Sequence, residues 1–131
     1  MKFTVENEHI QGTLGFDEIH ISPDEKHGYR PFELFISSLI GCSGTLLKNI
    51  LIKKRYPFTS IEMKPTARRN PEQANRIEQI TIIASIQTGQ EITSDQAEKL
   101  AQLVVKNCGM IQSVISTIDV DFQIESVPEK R

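Results

Sequence analysis

Two residues in this 131-residue chain, Cys42 and Cys108, can act as soft nucleophiles. A thiolate attacks electrophiles, and two thiols in reach of one another can cycle between a dithiol and a disulfide. Neither cysteine belongs to a C-x-x-C pair, and two cysteines do not make a metal site alone. They are therefore either inert core thiols or a redox couple. Each falls on the apolar stripe of a predicted helix, where a free cysteine ordinarily packs as a small hydrophobe. Both stripes face the same small core, which permits the sulfurs to meet but does not require it. The other reactive side chains offer less. His9, His20 and His27 lack metal-ligand spacing, so no metal is expected. Ser43 has no evident base partner to activate it. Lys53-Lys54-Arg55 and Arg68-Arg69 read as a helix end and a solvated loop.

Composition excludes several classes. Fifteen Lys+Arg against seventeen Asp+Glu leave a net charge of -2, which argues against a general binder of phosphate backbones. With no Trp and two Tyr, stacking on bases is not expected either, so no nucleic-acid partner is expected. A chain 38% hydrophobic and 24% charged can build a core, and its length fits a single domain over residues 1–131. Residues 1–7 carry no apolar run of the signal-peptide kind. The longest uncharged stretch, Leu34 to Leu47, is bracketed by Glu33 and Lys48 and falls short of the roughly 18 apolar residues of a membrane span. It reads as a buried helix, with no membrane partner. Two cysteines in a chain of this kind fit the cytoplasm, where structural disulfides are rare.

The elements that must position the thiols follow from hydrophobic periodicity. Residues 1–22 alternate at period two through Phe3, Val5, Ile10, Gly12, Leu14, Phe16, Ile19 and Ile21, giving two or three short strands. A polar loop, Ser22 to Arg30, leads to a long helix with Pro31 at its first position and Glu33 in its first turn. Its apolar sets, Phe35, Leu39, Cys42, Leu46, Ile50 and Ile36, Ile40, Leu47, Leu51, form an arc wide enough to bury most of the circumference. Small residues between Ser37 and Gly44 permit close approach by another backbone. Lys53-Lys54-Arg55 and Pro57 end the helix. Residues 58–68 and 77–87 form two strands joined by a loop over 69–75. Thr93 and Gln96 form a capping box for a second helix carrying Ala97, Leu100, Ala101, Val104, Cys108, Ile111 and Val114, which Gly109 bends or splits. Ile118, Val120, Phe122 and Ile124 alternate strictly as a last strand. The fold class is α+β with mainly antiparallel pairing: N-terminal strands, a long central helix, two strands, a second helix and a C-terminal strand.

Pro31-Phe32-Glu33-Leu34-Phe35, then Ser37-Ser38-Leu39-Ile40-Gly41-Cys42, with a second cysteine in Lys106-Asn107-Cys108, resembles the OsmC/Ohr superfamily, the osmotically inducible protein C and organic hydroperoxide resistance proteins. The resemblance covers nearly the whole chain in element order. Its most specific part is a Pro-x-Glu-Leu helix start with a cysteine eleven residues after the Pro. It implies a thiol peroxidase fold built as an intertwined homodimer, with sites at the subunit interface and no cofactor. Cys42 then matches the peroxidatic cysteine and Cys108 the resolving one. An organic or small hydroperoxide would oxidise Cys42 to a sulfenic acid, Cys108 would condense with it to a disulfide, and an external dithiol would reset the pair.

The chain departs from the hydroperoxide-resistance branch at three positions. That branch places Glu directly after the Pro, where this chain has Phe32, and the acid comes one residue later at Glu33, as in the broader OsmC-like branch. It also uses an N-terminal Arg, and no Arg precedes Arg30 here. A Pro often follows the second Cys, where this chain has Gly109. Arg30 and Glu33 are the remaining candidates to orient the thiolate. Along a straight helix they lie roughly 18 Å and 13 Å from Cys42, so either would have to serve it from a partner subunit. The dipole of the long helix fades within its first turn, so a cation from elsewhere is expected to ionise Cys42, since burial alone would raise its pKa. An alternative that follows from these departures is a non-catalytic dimer that holds a small apolar or thiol-containing ligand at its interface.

Overall fold

Short alternating segments at the N-terminus pair locally. In the computed structural model, which describes residues 1–129, β1 (Lys2–Val5), β2 (Ile10–Thr13) and β3 (Glu18–Ile21) form a three-stranded antiparallel sheet in the order β1-β2-β3. Gly12 is required there. A Cβ on it would fall 2.7 Å from the Phe3 ring across the β1–β2 pair, so only hydrogen lets the ring lie over β2. The polar segment after β3 closes back on that strand: Tyr29 N–H donates to His20 C=O at 2.8 Å and Ser22 N–H to Tyr29 C=O at 3.0 Å.

The long helix, α1, runs from Pro31 to Lys53, the start and stop expected from Pro31 and the basic last turn. The chain clusters into two compact units, residues 1–38 and residues from 39 onward, with the boundary inside α1. One correction concerns its burial. Ile36, Leu39, Ser43, Leu47 and Leu51 form a single buried stripe at helical spacing, not a helix enclosed around most of its circumference. Ile40, Leu46 and Ile50 are half-buried, and Ile52 is 58% exposed. One side of the apolar arc thus remains open in the single chain.

The second unit is a sheet covered by helices. β4 (Ser60–Asn70) pairs antiparallel with β5 (Arg76–Gln87), and β5 pairs with β6 (Asp119–Val127). Ile80, Ile82, Ala84 and Ile86 of the central strand are sealed from solvent, as the period-two pattern requires, and Phe122 and Ile124 of β6 join them. The loop between β4 and β5 is shorter than the expected 69–75. Arg69 and Asn70 belong to β4, and only a 3₁₀ turn, Pro71–Gln73, and the left-handed pair Ala74 and Asn75 make the connection.

The pairing of β5 with β6 is parallel. A parallel pair needs a crossover, and α2 (Ser94–Asn107) with α3 (Gly109–Val114) supplies it. Thr93 caps α2: its hydroxyl accepts from Gln96 N–H, and the Gln96 side chain accepts from Thr93 N–H at 3.0 Å. Ala97, Leu100, Ala101 and Val104 form the buried stripe of α2, which packs against β6. On the same face of the sheet, α1 passes close to β4 at Gly44, where an added Cβ would meet Met63 Sδ at 2.9 Å.

Candidate functional site: a thiol pair at a helix break

Cys108 lies between two helices and not within one. Its N–H donates to Val104 C=O at 2.9 Å, as the C-cap of α2, and its C=O accepts from Gln112 N–H at 2.9 Å, as the N-cap of α3. Its own backbone is extended, with φ -82° and ψ 110°. The helix expected to carry Cys108 on an unbroken stripe therefore ends at Asn107, and the break expected at Gly109 falls one residue earlier. The Gln112 side chain ties the two helices together by donating to Val105 C=O at 2.7 Å.

This break sets the electrostatics of Cys42. A helix interior presents no free N–H, because each is bonded four residues back. At the start of α3 the N–H groups of Gly109 and Met110 have no such partner, and both act on Cys42. Met110 N–H lowers the Cys42 pKa most, the Cys108 thiol lowers it further by donating to the same sulfur, and Gly109 N–H adds to both; partial burial opposes them without prevailing. The thiolate of Cys42 is thus favoured by hydrogen-bond donors, where a cation was expected. Gly109 is the sequence signal for this break, which falls one residue earlier, at Cys108, and frees the N–H groups of Gly109 and Met110.

Cys108 moves the other way. It is 0% exposed, and this burial is the main reason its pKa is raised; the negative sulfur of Cys42 raises it again, while Ile111 and Met110 N–H partly offset both. Cys42 is half-buried, and the two thiols are unbonded. The predicted pair is therefore coupled as a half-buried sulfur whose thiolate is favoured and a sealed sulfur whose thiol is favoured. Ser43, next to Cys42, is fully buried, and its hydroxyl donates to Leu39 C=O at 2.7 Å, a structural helix bond.

The other predicted site residues, Arg30 and Glu33, belong to the first unit and form an ion pair. Arg30 Nε lies 2.8 Å from Glu33 Oε1, with the side chains 46% and 44% exposed. Glu33 also accepts from Arg30 N–H at 3.3 Å, so it works as an N-terminal capping acid of α1. The Arg30 guanidinium holds the Glu33 carboxyl below the usual range, and Glu33 in turn raises Arg30. Glu33 borders a surface pocket of about 390 Å³ with His20, Glu25, His27, Gly28 and Tyr29. His9 and His20 stack at 4.1 Å between ring centroids. Among the described residues no group of three His, Cys, Asp or Glu is arranged to hold a metal.

Comparison with known proteins bears on this arrangement. The family model described as OsmC-like protein matches residues 22–123. A hypothetical protein from Aquifex aeolicus VF5 superposes with a TM-score of 0.84 at 20% identity, over 98% of this chain and 96% of that one. An OsmC-like protein from Mycoplasma pneumoniae gives 0.79 at 18% identity, over 96% of both chains. An organic hydroperoxide resistance protein OsmC from Legionella pneumophila gives 0.72 at 14% identity, over 95% and 93%. No curated protein matches the chain in sequence. At these identities the likeness to solved structures is one of fold.

Proposed function

The chain belongs to the OsmC-like protein family, and from that premise we propose that it is a thiol-dependent hydroperoxide reductase. The observation that carries this reading is the coupling of Cys42 and Cys108, a half-buried thiol with a lowered pKa beside a sealed one with a raised pKa. Structural neighbours described as organic hydroperoxide resistance proteins agree with this assignment of substrate class.

The cycle begins with the Cys42 thiolate attacking the outer oxygen of a hydroperoxide. An S–O bond forms, the O–O bond breaks, and the alkoxide leaves and takes a proton to become an alcohol. Cys42 is now a sulfenic acid. The Cys108 sulfur attacks it, forming the S–S bond and releasing water. The peroxide has gained two electrons and two protons, and the two thiols have become one disulfide. A dithiol then reduces the pair. Protein donors at Cys42 hold the attacking sulfur ionised, and those of α3 require no reorganisation at the moment of reaction.

The same proposal places the protein in the cytoplasm as a homodimer. The half-buried Ile40, Leu46 and Ile50 and the exposed Ile52 on α1 supply apolar surface for a second copy, and Arg30 and Glu33 act on the thiolate of the partner. Stoichiometric cumene hydroperoxide tests the reading. Two titratable thiols should disappear as one intramolecular disulfide forms. Oxidation no faster than that of a free-thiol peptide would reject it and favour a ligand-binding role.

A further inference from the structure

We infer that the reducing half of the cycle has a fixed direction: the incoming thiolate attacks the sulfur of Cys42, and Cys108 is the leaving group. The inference rests on the thiol-peroxidase reading and extends it to the sulfur that receives the reductant. Thiol–disulfide exchange proceeds in line, with the nucleophile, the attacked sulfur and the leaving sulfur on one axis. A nucleophile bound for Cys42 comes from the side away from Cys108, and Cys42 keeps part of its surface in solvent. A nucleophile bound for Cys108 would have to come from behind it. Cys108 is 0% exposed, and Val104 and Ile111, one turn to either side, are 0% exposed as well. That approach passes through the core.

Leaving-group acidity favours the opposite direction, because Cys42 is the more acidic thiol and would leave more readily. That preference is graded, since a lower leaving-group pKa only speeds departure. A blocked line of approach removes the path altogether, so access decides. The electrons balance as follows. The reductant thiolate forms a bond to Cys42 Sγ, the Cys42–Cys108 bond breaks, and the Cys108 thiolate departs and takes a proton from solvent. A dithiol then closes on itself: its second thiolate attacks its own bound sulfur, expels the Cys42 thiolate and leaves as a cyclic disulfide. A monothiol cannot do this. Cys108, still beside Cys42, attacks the mixed disulfide and returns the monothiol to solution.

The test uses the full-length protein with its disulfide formed by diamide, so that it does not depend on peroxide activity. The oxidised protein is mixed with excess N-acetylcysteine, quenched with N-ethylmaleimide and mapped by peptide mass spectrometry. The expected product carries N-acetylcysteine on Cys42 and maleimide on Cys108, in at least about tenfold excess over the reverse labelling. Equal amounts, or the reverse pattern, would overturn the inference, as would failure of diamide to join the two sulfurs. If no adduct accumulates, the reduced protein decides. Cys42 should take maleimide at least about tenfold faster than Cys108, and Cys108 should react only as the fold opens; equal rates would overturn it. A protein that fails with cumene hydroperoxide but opens its diamide disulfide at Cys42 would reject the peroxidase reading and keep this one.

Discussion

Cys42, half-buried on α1, and Cys108, sealed at the end of α2, act on one another's ionisation, and this coupling gives two identical side chains opposite acid–base character. The pKa of Cys108 is raised, chiefly by burial, and that of Cys42 is lowered, chiefly by Met110 N–H and then by the Cys108 thiol. One thiol is prepared to attack and the other to wait for the product of that attack. The two cysteines should therefore respond differently to the same substitution. Cys42→Ser should abolish peroxide consumption. Cys108→Ser should leave the first oxidation intact and let a sulfenic acid accumulate, detectable as a dimedone adduct by mass spectrometry.

Gly109 offers a test of the backbone donors. Its φ is not in the left-handed region, and an added Cβ meets nothing within 4 Å, so Gly109→Ala should keep the reactivity of Cys42. It should also stabilise the fold by roughly 0.4–1 kcal/mol through the unfolded chain. Proline fits the same place, as the first residue of α3 after an extended Cys108, but has no N–H. Gly109→Pro should therefore move the pH midpoint of Cys42 alkylation upward while leaving thermal stability nearly unchanged. An unmoved midpoint would show that Gly109 N–H does not support the thiolate.

The pH dependence of Cys42 has a definite sign. Its alkylation rate should rise with pH and reach half its plateau below the midpoint of an ordinary cysteine, whereas Cys108→Ala, which removes the second of the groups that lower it, should shift that midpoint upward. Stability follows by linkage. The folded pKa of Cys42 is depressed, so its contribution is fully present above the unfolded pKa and is lost as pH falls through the folded value. Cys108 has a raised folded pKa, and its contribution is present below the unfolded pKa and is lost as pH rises through the folded one. Denaturant titrations of Cys42→Ser and Cys108→Ser across this range should therefore diverge from the parent protein with opposite slopes.

Arg30 and Glu33 are an exposed pair, so removing it should cost little stability. Arg30→Gln should lower kcat/KM for cumene hydroperoxide if Arg30 acts on the thiolate of a partner subunit, with the unfolding midpoint almost unmoved. Unchanged kinetics would confine the residue to its pairing with Glu33 at the start of α1.

Core and cap substitutions test the scaffold. Ile82, at the centre of β5, is 0% exposed, and Ile82→Ala should cost about 2–5 kcal/mol in denaturant unfolding. Thr93→Ala removes the α2 cap and should cost about 1 kcal/mol.

Much of this scaffold was legible in the residues, because burial on one face imposes a period. Ile80, Ile82, Ala84 and Ile86 announced β5, Pro31 and Lys53 bracketed α1, and Thr93 with Gln96 marked the start of α2. Pairing direction was not legible: the alternation of Ile118 to Ile124 is the same whether β6 runs parallel or antiparallel to β5. The burial of α1 was overstated because an apolar arc does not say which part another chain must cover. At the site, the residue types of Cys42 and Cys108 were enough to nominate a couple. Their activation was not, because it comes from the main chain of Gly109 and Met110, and a backbone N–H has no letter of its own. Only the place where the helix breaks exposes it, and helix breaks are read from sequence to within a residue or two.

The two sulfurs meet although they lie 66 positions apart in the chain (108 minus 42), one on α1 and the other in the crossover above the sheet. Oxidation therefore ties a long loop. By loop-closure entropy a cross-link of that span restrains the denatured chain by about 4 kcal/mol, so each turnover also passes through a state that resists unfolding more than the resting one. A thermal melt of the diamide-oxidised protein should lie well above that of the reduced protein, and the same protein would then report its redox state through its melting temperature.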